Sequence, residues 1–559
     1  MNKRLELLIS ALTATPARAL AALLVLALCL FLPGQAALPP MDRDEPRFAQ
    51  ATKQMLESGD YVDIRFQQDA RHKKPVGIYW LQAAAVRAGE ALGVADAQRQ
   101  IWLYRIPSLI GAVLAVLLSY WAAIVFLARR HAVLAAALMG ATVILGVEAR
   151  LAKTDAALLV SVLGAMGALA RHWMHVRGGR NGDPPGIVNA LIFWCSIGAG
   201  VLLKGPITPL IAGLTALTLS VSIRSGAWLR GLRPGLGLLI VAVIVLPWLI
   251  AIIQKSGLAF FEEAVFKDML GKVHSGQERH GAPPGLYFAV FWGTGWPLAP
   301  LALASLPFIR REWRDDGVMF LLAWIIPAWL LFELVPTKLP HYVMPLYPAI
   351  AMLAMLAVER GAFDALKRWQ KLALGLVVLL PLVILAGAPA GFWLLDRTLP
   401  YLALPFMLAG LVISILAMLS LWHGAARPGI ALACLASLSL HTGAFRFGAP
   451  ALDAIRLSPR LAEAAAGADC PDARYVTQGY REPSLVFLTR TDLAMTAGSG
   501  AAEFLKGPGC RIAFVEKRQE APFLDGLKAA GLSPALVTRV TGLNINSGRA
   551  ADIGVWVKR

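Results

Sequence analysis

The stretch DRDEPRFAQ, Asp42 to Gln50, follows an apolar run that ends near Pro33. It crowds Asp42, Arg43, Asp44, Glu45 and Arg47 into one short segment. Two kinds of role suit such a cluster. As a helix start, Asp44 is placed to cap, Pro46 fits the first turn, and Arg47 can pair with either acid. As chemistry, a carboxylate accepts a proton from a hydroxyl or holds that hydroxyl in place, while arginine receives an anion.

Further along the chain, other polar groups stand where apolar runs begin or end. EARLAKTDAALL carries Arg150, Lys153 and Asp155, and LLKGP carries Lys204. RHKKPVGIYW offers His72, Lys73 and Lys74. GKVHSGQERHGAPPG offers Lys272, His274, Arg279 and His280, and VPTKLPHYVMPLYP offers Lys338, His341 and Tyr342. Taken singly, each is a side chain that reaches from a helix end to the membrane surface. Taken together they set a few acids among many bases, a pattern suited to a lipid-linked phosphate. Each cation within about 4 Å of a phosphate contributes roughly 4 kcal/mol at an effective dielectric of about 20.

The elements that must position these groups are mostly membrane helices. Of 559 residues, 57% are hydrophobic and 16% charged, and the mean hydropathy is +0.61. Soluble domains carry about 25% charged residues. About thirteen apolar runs are long enough to span a bilayer. The net charge of +18 reflects short basic loops rather than a nucleic-acid partner. Lys3, Arg4 and Arg18 precede or open the first run, and every second connection is basic, from Arg129-Arg130 through Arg310-Arg311 to Arg427. The positive-inside bias therefore places the N-terminus in the cytoplasm, and an odd number of spans places the C-terminal part outside.

The first outer loop, 37–105, holds two amphipathic segments. In one, Phe48, Met55 and Leu56 recur at helical spacing and Gly59 stops the helix. In the other, Val76, Tyr79, Trp80, Ala83 and Val86 share a side. After residue 450 the composition becomes that of a small mixed α/β domain, 451–559, with RYVTQGY, SLVFLT, RIAFVEK and DIGVWVK read as strands. Its two cysteines, Cys470 and Cys510, either pair across about 40 residues or stay as buried thiols. Residues 1–450 form the membrane part.

DEPRFA after the first span, a following SGD, KKPVGIYW, LLKGP and KLPHYVMPLYP, in that order, resemble the GT-C glycosyltransferases of family 39. That family includes protein O-mannosyltransferases and bacterial lipid A aminoarabinose transferases, and the likeness to the latter covers nearly the whole chain. The resemblance implies a GT-C fold with juxtamembrane helices and a C-terminal periplasmic domain, in the bacterial inner membrane as a monomer. It implies inverting transfer of a sugar from undecaprenyl phosphate to lipid A or lipopolysaccharide. Asp44, Glu45 and Asp155 would be the catalytic acids, and Arg47, Lys74, Lys272, Arg279 and Tyr342 would bind the donor phosphate. Lys73, Arg150, Lys153, Lys204, Lys338, His280 and His341 are further candidates. No cofactor is assigned: Lys73 stands where the aminoarabinose transferases usually carry a glutamate, which removes a divalent-metal ligand. The KKP form also resembles relatives that transfer other sugars, including galacturonosyl transferases, so the expected sugar is aminoarabinose-like or a uronic acid.

Two other readings compete. One is protein O-mannosyl transfer. The other is a polytopic lipid or sugar transporter, which would concentrate ionisable groups at the membrane midplane. Here the spans are nearly free of Asp and Glu, and the charges gather at one face.

Overall fold

Proline and glycine punctuation cuts the apolar runs into helices of very different length. The computed structural model describes the chain apart from residues 43, 179–185 and 265–280. Among the described residues, nine helices are long and apolar enough to cross a membrane, and up to eleven if two bent pairs are each taken as one span. Those pairs are Asn2–Leu12 with Pro16–Phe31, bent by 113°, and Leu286–Thr294 with Leu298–Ala304, bent by 119°. Other apolar runs fold as shorter pieces, such as Arg129–Gly140 followed by Val143–Glu148, and Ile207–Ser222. The chain is a multi-pass membrane protein. Its main core is built where Ile101–Ala123 and Asp155–Val176 pack together, rich in alanine and glycine that let helix backbones approach closely.

The loop 37–105 folds as the spacing predicts, with one change. The helix Glu45–Ser58 buries Phe48, Met55 and Leu56 and ends at Gly59, whose φ of 72° is the left-handed C-terminal cap. The helix Gly77–Ala91 buries Tyr79, Ala83 and Val86, but Trp80 lies on the open side, 39% exposed, with its indole N–H donated to Tyr61 O. Between the two helices, β1 (Arg65–Phe66) and β2 (Asp69–Ala70) make a short antiparallel hairpin. Gly77 sits against the end of the helix Ile187–Lys204. A Cβ there would lie 2.7 Å from Leu202 O, so only glycine lets the KKPVG segment close on the LLKGP turn.

The C-terminal sheet has five strands: β3 (Arg474–Gln478), β4 (Ala494–Thr496), β5 (Arg511–Glu516), β6 (Ala535–Asn544) and β7 (Arg549–Lys558). Their order is β4-β3-β5-β7-β6, with β3 parallel to β4 and β5, and β7 antiparallel to β5 and β6. Along β5, Ile512 and Phe514 enter one core while Ala513 and Val515 enter the other, the two-residue alternation of a strand covered on both faces. SLVFLT is not a strand. Pro483–Leu488 is a short helix with Leu485, Val486 and Phe487 fully buried. Phe487 packs edge-on against Tyr104 of the membrane part at 5.3 Å. A short continuous apolar run is buried equally well as either element, and here contacts on all sides favour the helix.

Cys470 and Cys510 form a disulfide with their Cα atoms 5.7 Å apart, tying the chain before β3 to the start of β5. Closing a loop of this size stabilises a fold by about 4 kcal/mol on the chain-entropy model. The double substitution C470S/C510S should lower the denaturant midpoint of the C-terminal domain, followed by Trp556 fluorescence. Added thiol reductant should then shift the wild type but not the variant.

Candidate active site

At the head of the helix Glu45–Ser58, two neighbouring acids have opposite fates. Glu45 is 1% exposed and accepts four hydrogen bonds. Arg105 donates from Nε at 2.7 Å and Nη2 at 2.9 Å, and the backbone N–H groups of Met41 and Ala152 donate at 2.8 and 2.9 Å. Arg105, itself fully buried, also donates to Gln35 O, Leu38 O and Pro39 O. All the lone-pair directions of this carboxylate are occupied, so Glu45 is a structural anchor rather than a proton acceptor. Asp44 occupies the N-cap position but makes no side-chain cap bond. Its carboxylate lines a cavity of about 820 Å³ instead.

That cavity collects most of the groups picked out by sequence. Asp44, Glu45, Arg47, Lys73, Lys74, Lys153, Asp155, Lys204, His341 and Tyr342 all line it. On its inner side Lys204 Nζ makes a short contact with Asp155 Oδ1 and lies 4.9 Å from the centre of the Tyr342 ring. Lys153 Nζ reaches Glu148 Oε1 at 3.1 Å and Asp155 Oδ2 at 3.8 Å. Burial works against the Lys153 ammonium, yet Glu148, Asp155 and Asp44 together hold its pKa above the usual lysine value.

Two predicted residues do not reach the cavity. The Arg150 guanidinium is buried on Pro33 O, Gly146 O and Leu30 O, over the Phe445 ring at 4.3 Å. Lys338 Nζ donates to Ala282 O and Val335 O. Lys272, Arg279 and His280 lie outside the described residues. Sequence reading missed Arg105, a lone arginine at the start of an apolar run, and also Glu148, Glu263 and Asn546. The last of these comes from the β6–β7 turn, with no local motif to announce it.

Asp42 connects the site to the C-terminal domain. Its carboxyl oxygens accept from Ser484 N at 3.1 Å and Ser484 Oγ at 2.7 Å. Burial pushes its pKa up to about 7; the Ser484 bonds oppose that rise, and Glu482 and Glu45 add to it. Glu482 in turn accepts from Asn544 and Asn546, so the β6–β7 turn is held against the cavity rim.

For a metal, Glu148, Asp155 and His341 offer ligand atoms within 4.8 Å of one another. The set does not fit a divalent ion as it stands. Lys153 and Lys204 already neutralise both carboxylates, and a cation there would have to displace them. No step of the chemistry below is routed through a metal.

With this geometry in place, likeness to known proteins adds meaning to it. Residues 18–259 match the family described as dolichyl-phosphate-mannose-protein mannosyltransferase. The structure superposes on ArnT from Cupriavidus metallidurans bound to undecaprenyl phosphate with a TM-score of 0.73, covering 97% of this chain and 98% of that one at 19% identity. The chain has the ArnT fold. An oligosaccharyltransferase from Archaeoglobus fulgidus, tethered to an acceptor peptide, shares the ArnT-like architecture more distantly, with a TM-score of 0.52 at 12% identity, over 92% of this chain and 68% of that one. In sequence, the undecaprenyl phosphate-alpha-4-amino-4-deoxy-L-arabinose arabinosyl transferase 2 of Pseudomonas fluorescens is 27% identical over 364 residues, 61% of this chain and 60% of that protein. The corresponding arabinosyl transferase of Edwardsiella ictaluri is 26% identical over 354 residues, 61% of this chain and 59% of that protein. The match thus spans about 60% of the length of these curated relatives.

Replacing Arg105 by alanine leaves Glu45 buried and unpaired, which costs about 3–5 kcal/mol. Thermal unfolding should show R105A well below wild type, with the R105A/E45A double variant recovering part of the loss. For Asp42, the folded pKa lies above the unfolded one, so the folded state holds the extra proton. Its contribution to stability is present at low pH and lost as pH rises towards about 7. D42N should flatten the fall in thermal midpoint between about pH 4 and 7.

Proposed function

We propose that the chain is an inverting glycosyltransferase. It takes a sugar from a polyprenyl phosphate donor, undecaprenyl phosphate, and delivers it to lipid A or lipopolysaccharide. The observation that carries this reading is the cavity itself: one carboxylate without a capping bond, Asp44, faces Arg47, Lys73, Lys74 and Lys204 across a space large enough for a sugar phosphate. The names of the curated relatives, and the lipid bound to the Cupriavidus structure, support the donor class.

In this reading Asp44 accepts the proton of the attacking acceptor oxygen. That oxygen forms a bond to the anomeric carbon on the face opposite the phosphate, and the bond from that carbon to the phosphate oxygen breaks. The leaving phosphate keeps the electron pair, and Lys74, Arg47 and Tyr342 stabilise it, while the polyprenyl tail stays in lipid. Asp155 is held by Lys204 and Lys153 and positions those ammonium groups rather than taking a proton. Glu45 supports the loop. The sugar is aminoarabinose-like or a uronic acid, and the surplus of basic side chains around Lys73 suits a carboxylate on the sugar. The protein works as an inner-membrane monomer without a resident cofactor. Its N-terminus is cytoplasmic, its C-terminal domain periplasmic, and its membrane part comprises residues 1–450 and its outer domain residues 451–559.

Mass spectrometry of lipid A and core from cells with and without the protein should show one added sugar that depends on it. Purified D44N should keep donor binding and lose at least a hundredfold in transfer, the scale of a general base. A sugar added to protein serine or threonine would instead support O-mannosyl transfer. Unchanged function in D44N would support a transporter.

A further inference from the structure

One cation of the catalytic cavity has no part in the reaction as written above. Arg71 is only 8% exposed, and its guanidinium lies over the Phe48 ring, 4.8 Å from the centroid; both side chains line the cavity. Among the described residues the guanidinium makes no hydrogen bond and no ion pair, and its Nε is enclosed without an acceptor. Burying such a group is costly unless something supplies acceptors. The acids around the cavity do not. Asp42 is held by Ser484, Glu45 by Arg105, and Asp155 by Lys153 and Lys204. Glu263 accepts from His72 N at 3.2 Å. Asp44, the remaining acid of the lining, is the proton acceptor of the proposed reaction.

The surrounding structure presets this side chain. Arg71 N donates to Ile64 O at 2.7 Å, and at the next residue His72 Nε2 meets Asp63 Oδ1 at 2.8 Å, so the segment leaving β2 is pinned at two successive residues. Phe48 is stacked on Tyr79 with the centroids 5.5 Å apart, which fixes the ring under the guanidinium. A planar fork stacked by its face presents its N–H edge to a bidentate partner such as a carboxylate.

Position selects the anion. Phe48 N donates to Asp44 O at 3.1 Å, so Arg71 stands over a ring one helical turn from Asp44, about 6 Å along the axis. In a hexuronic acid the carboxylate is carried by the carbon that the ring oxygen joins to the anomeric carbon. A sugar that reacts beside Asp44 therefore brings its own carboxylate within that reach. An ammonium-bearing sugar in the same place would instead set a cation against Arg71.

We propose that Arg71 receives the carboxylate of the transferred sugar and so makes a uronic acid the preferred donor sugar. The inference deepens the glycosyl-transfer reading and rests on it. Arg71 is a specificity-determining residue here: it holds the sugar by a group that takes no part in bond making or breaking.

The test uses the full chain in lipid nanodiscs and four probes: undecaprenyl phosphate alone, and the same lipid carrying galacturonic acid, galactose or 4-amino-4-deoxyarabinose. The wild type should bind the uronate lipid at least tenfold more tightly than the galactose lipid, and the amino-sugar lipid no more tightly than the galactose lipid. R71Q should weaken the uronate lipid at least tenfold and bind undecaprenyl phosphate and the galactose lipid within about twofold of wild type. R71K, which keeps the charge but loses the fork, should fall between. Equal wild-type affinity for the uronate and galactose lipids, or tightest binding of the amino-sugar lipid, overturns the proposal without recourse to a variant. So does a loss in R71Q and R71K that is as large for undecaprenyl phosphate alone, which would put Arg71 on the phosphate, or a change confined to the acceptor's KM. A uronate preference that R71Q abolishes, with no transfer to any acceptor, would uphold the assignment of Arg71 and remove the proposed reaction instead.

Discussion

The buried pair of Arg105 and Glu45 is the constraint on which the rest of the site depends. Two charges taken fully out of water each cost several kcal/mol, and their attraction offsets this only when every remaining donor and acceptor is satisfied. Here that condition is met. Glu45 accepts from Arg105 and from two backbone N–H groups, and Arg105 satisfies three carbonyls at the end of the first span. The pair draws together the end of that span, the head of the helix Glu45–Ser58, the span Ile101–Ala123 and the backbone at Ala152. Asp44 is adjacent to one partner and Asp155 lies three residues beyond Ala152, so both acids are placed by a single bonded cluster.

Around this anchor the charges fall into two groups. The inner one, Glu148, Lys153, Asp155, Lys204 and His341, neutralises itself and is buried apart from Lys204, which is partly buried. The outer one, Asp44 with Arg47, Lys73 and Lys74, lines the open volume. The C-terminal domain closes one side of the arrangement. Ser484 holds Asp42, Thr491 accepts from Gln50, Phe487 O takes the Lys53 ammonium, and the β6–β7 turn brings Asn546 to the rim. A domain packed this closely on the loop 37–105 is coupled to it mechanically, because moving Ser484 would move Asp42.

Much of this was legible in the residues. The amphipathic helices of the loop 37–105 and the C-terminal α/β domain could be read from periodicity and punctuation, and the grouping of DEPRFA, KKP, LLKGP and KLPHY from the resemblance of those motifs to a known family. Other features could not. Arg150 and Lys338 look like phosphate ligands in sequence, yet both are spent on backbone carbonyls. Glu45 looks as reactive as Asp44 until its four donors are seen. SLVFLT reads as a strand and folds as a helix, because its side chains are buried on every side and period alone does not distinguish the two.

The sequence by itself determined the membrane character of the chain, the helical pieces of the loop 37–105, the class of the C-terminal domain and the set of residue types available for phosphate chemistry, since these follow from composition and local spacing. Only the tertiary structure decided which acid is open and which is saturated, and that the C-terminal domain walls the cavity. Those outcomes turn on partners tens to hundreds of residues away, such as Arg105 for Glu45 and Ser484 for Asp42, and hydrogen-bond saturation by distant groups leaves no local signature in the chain.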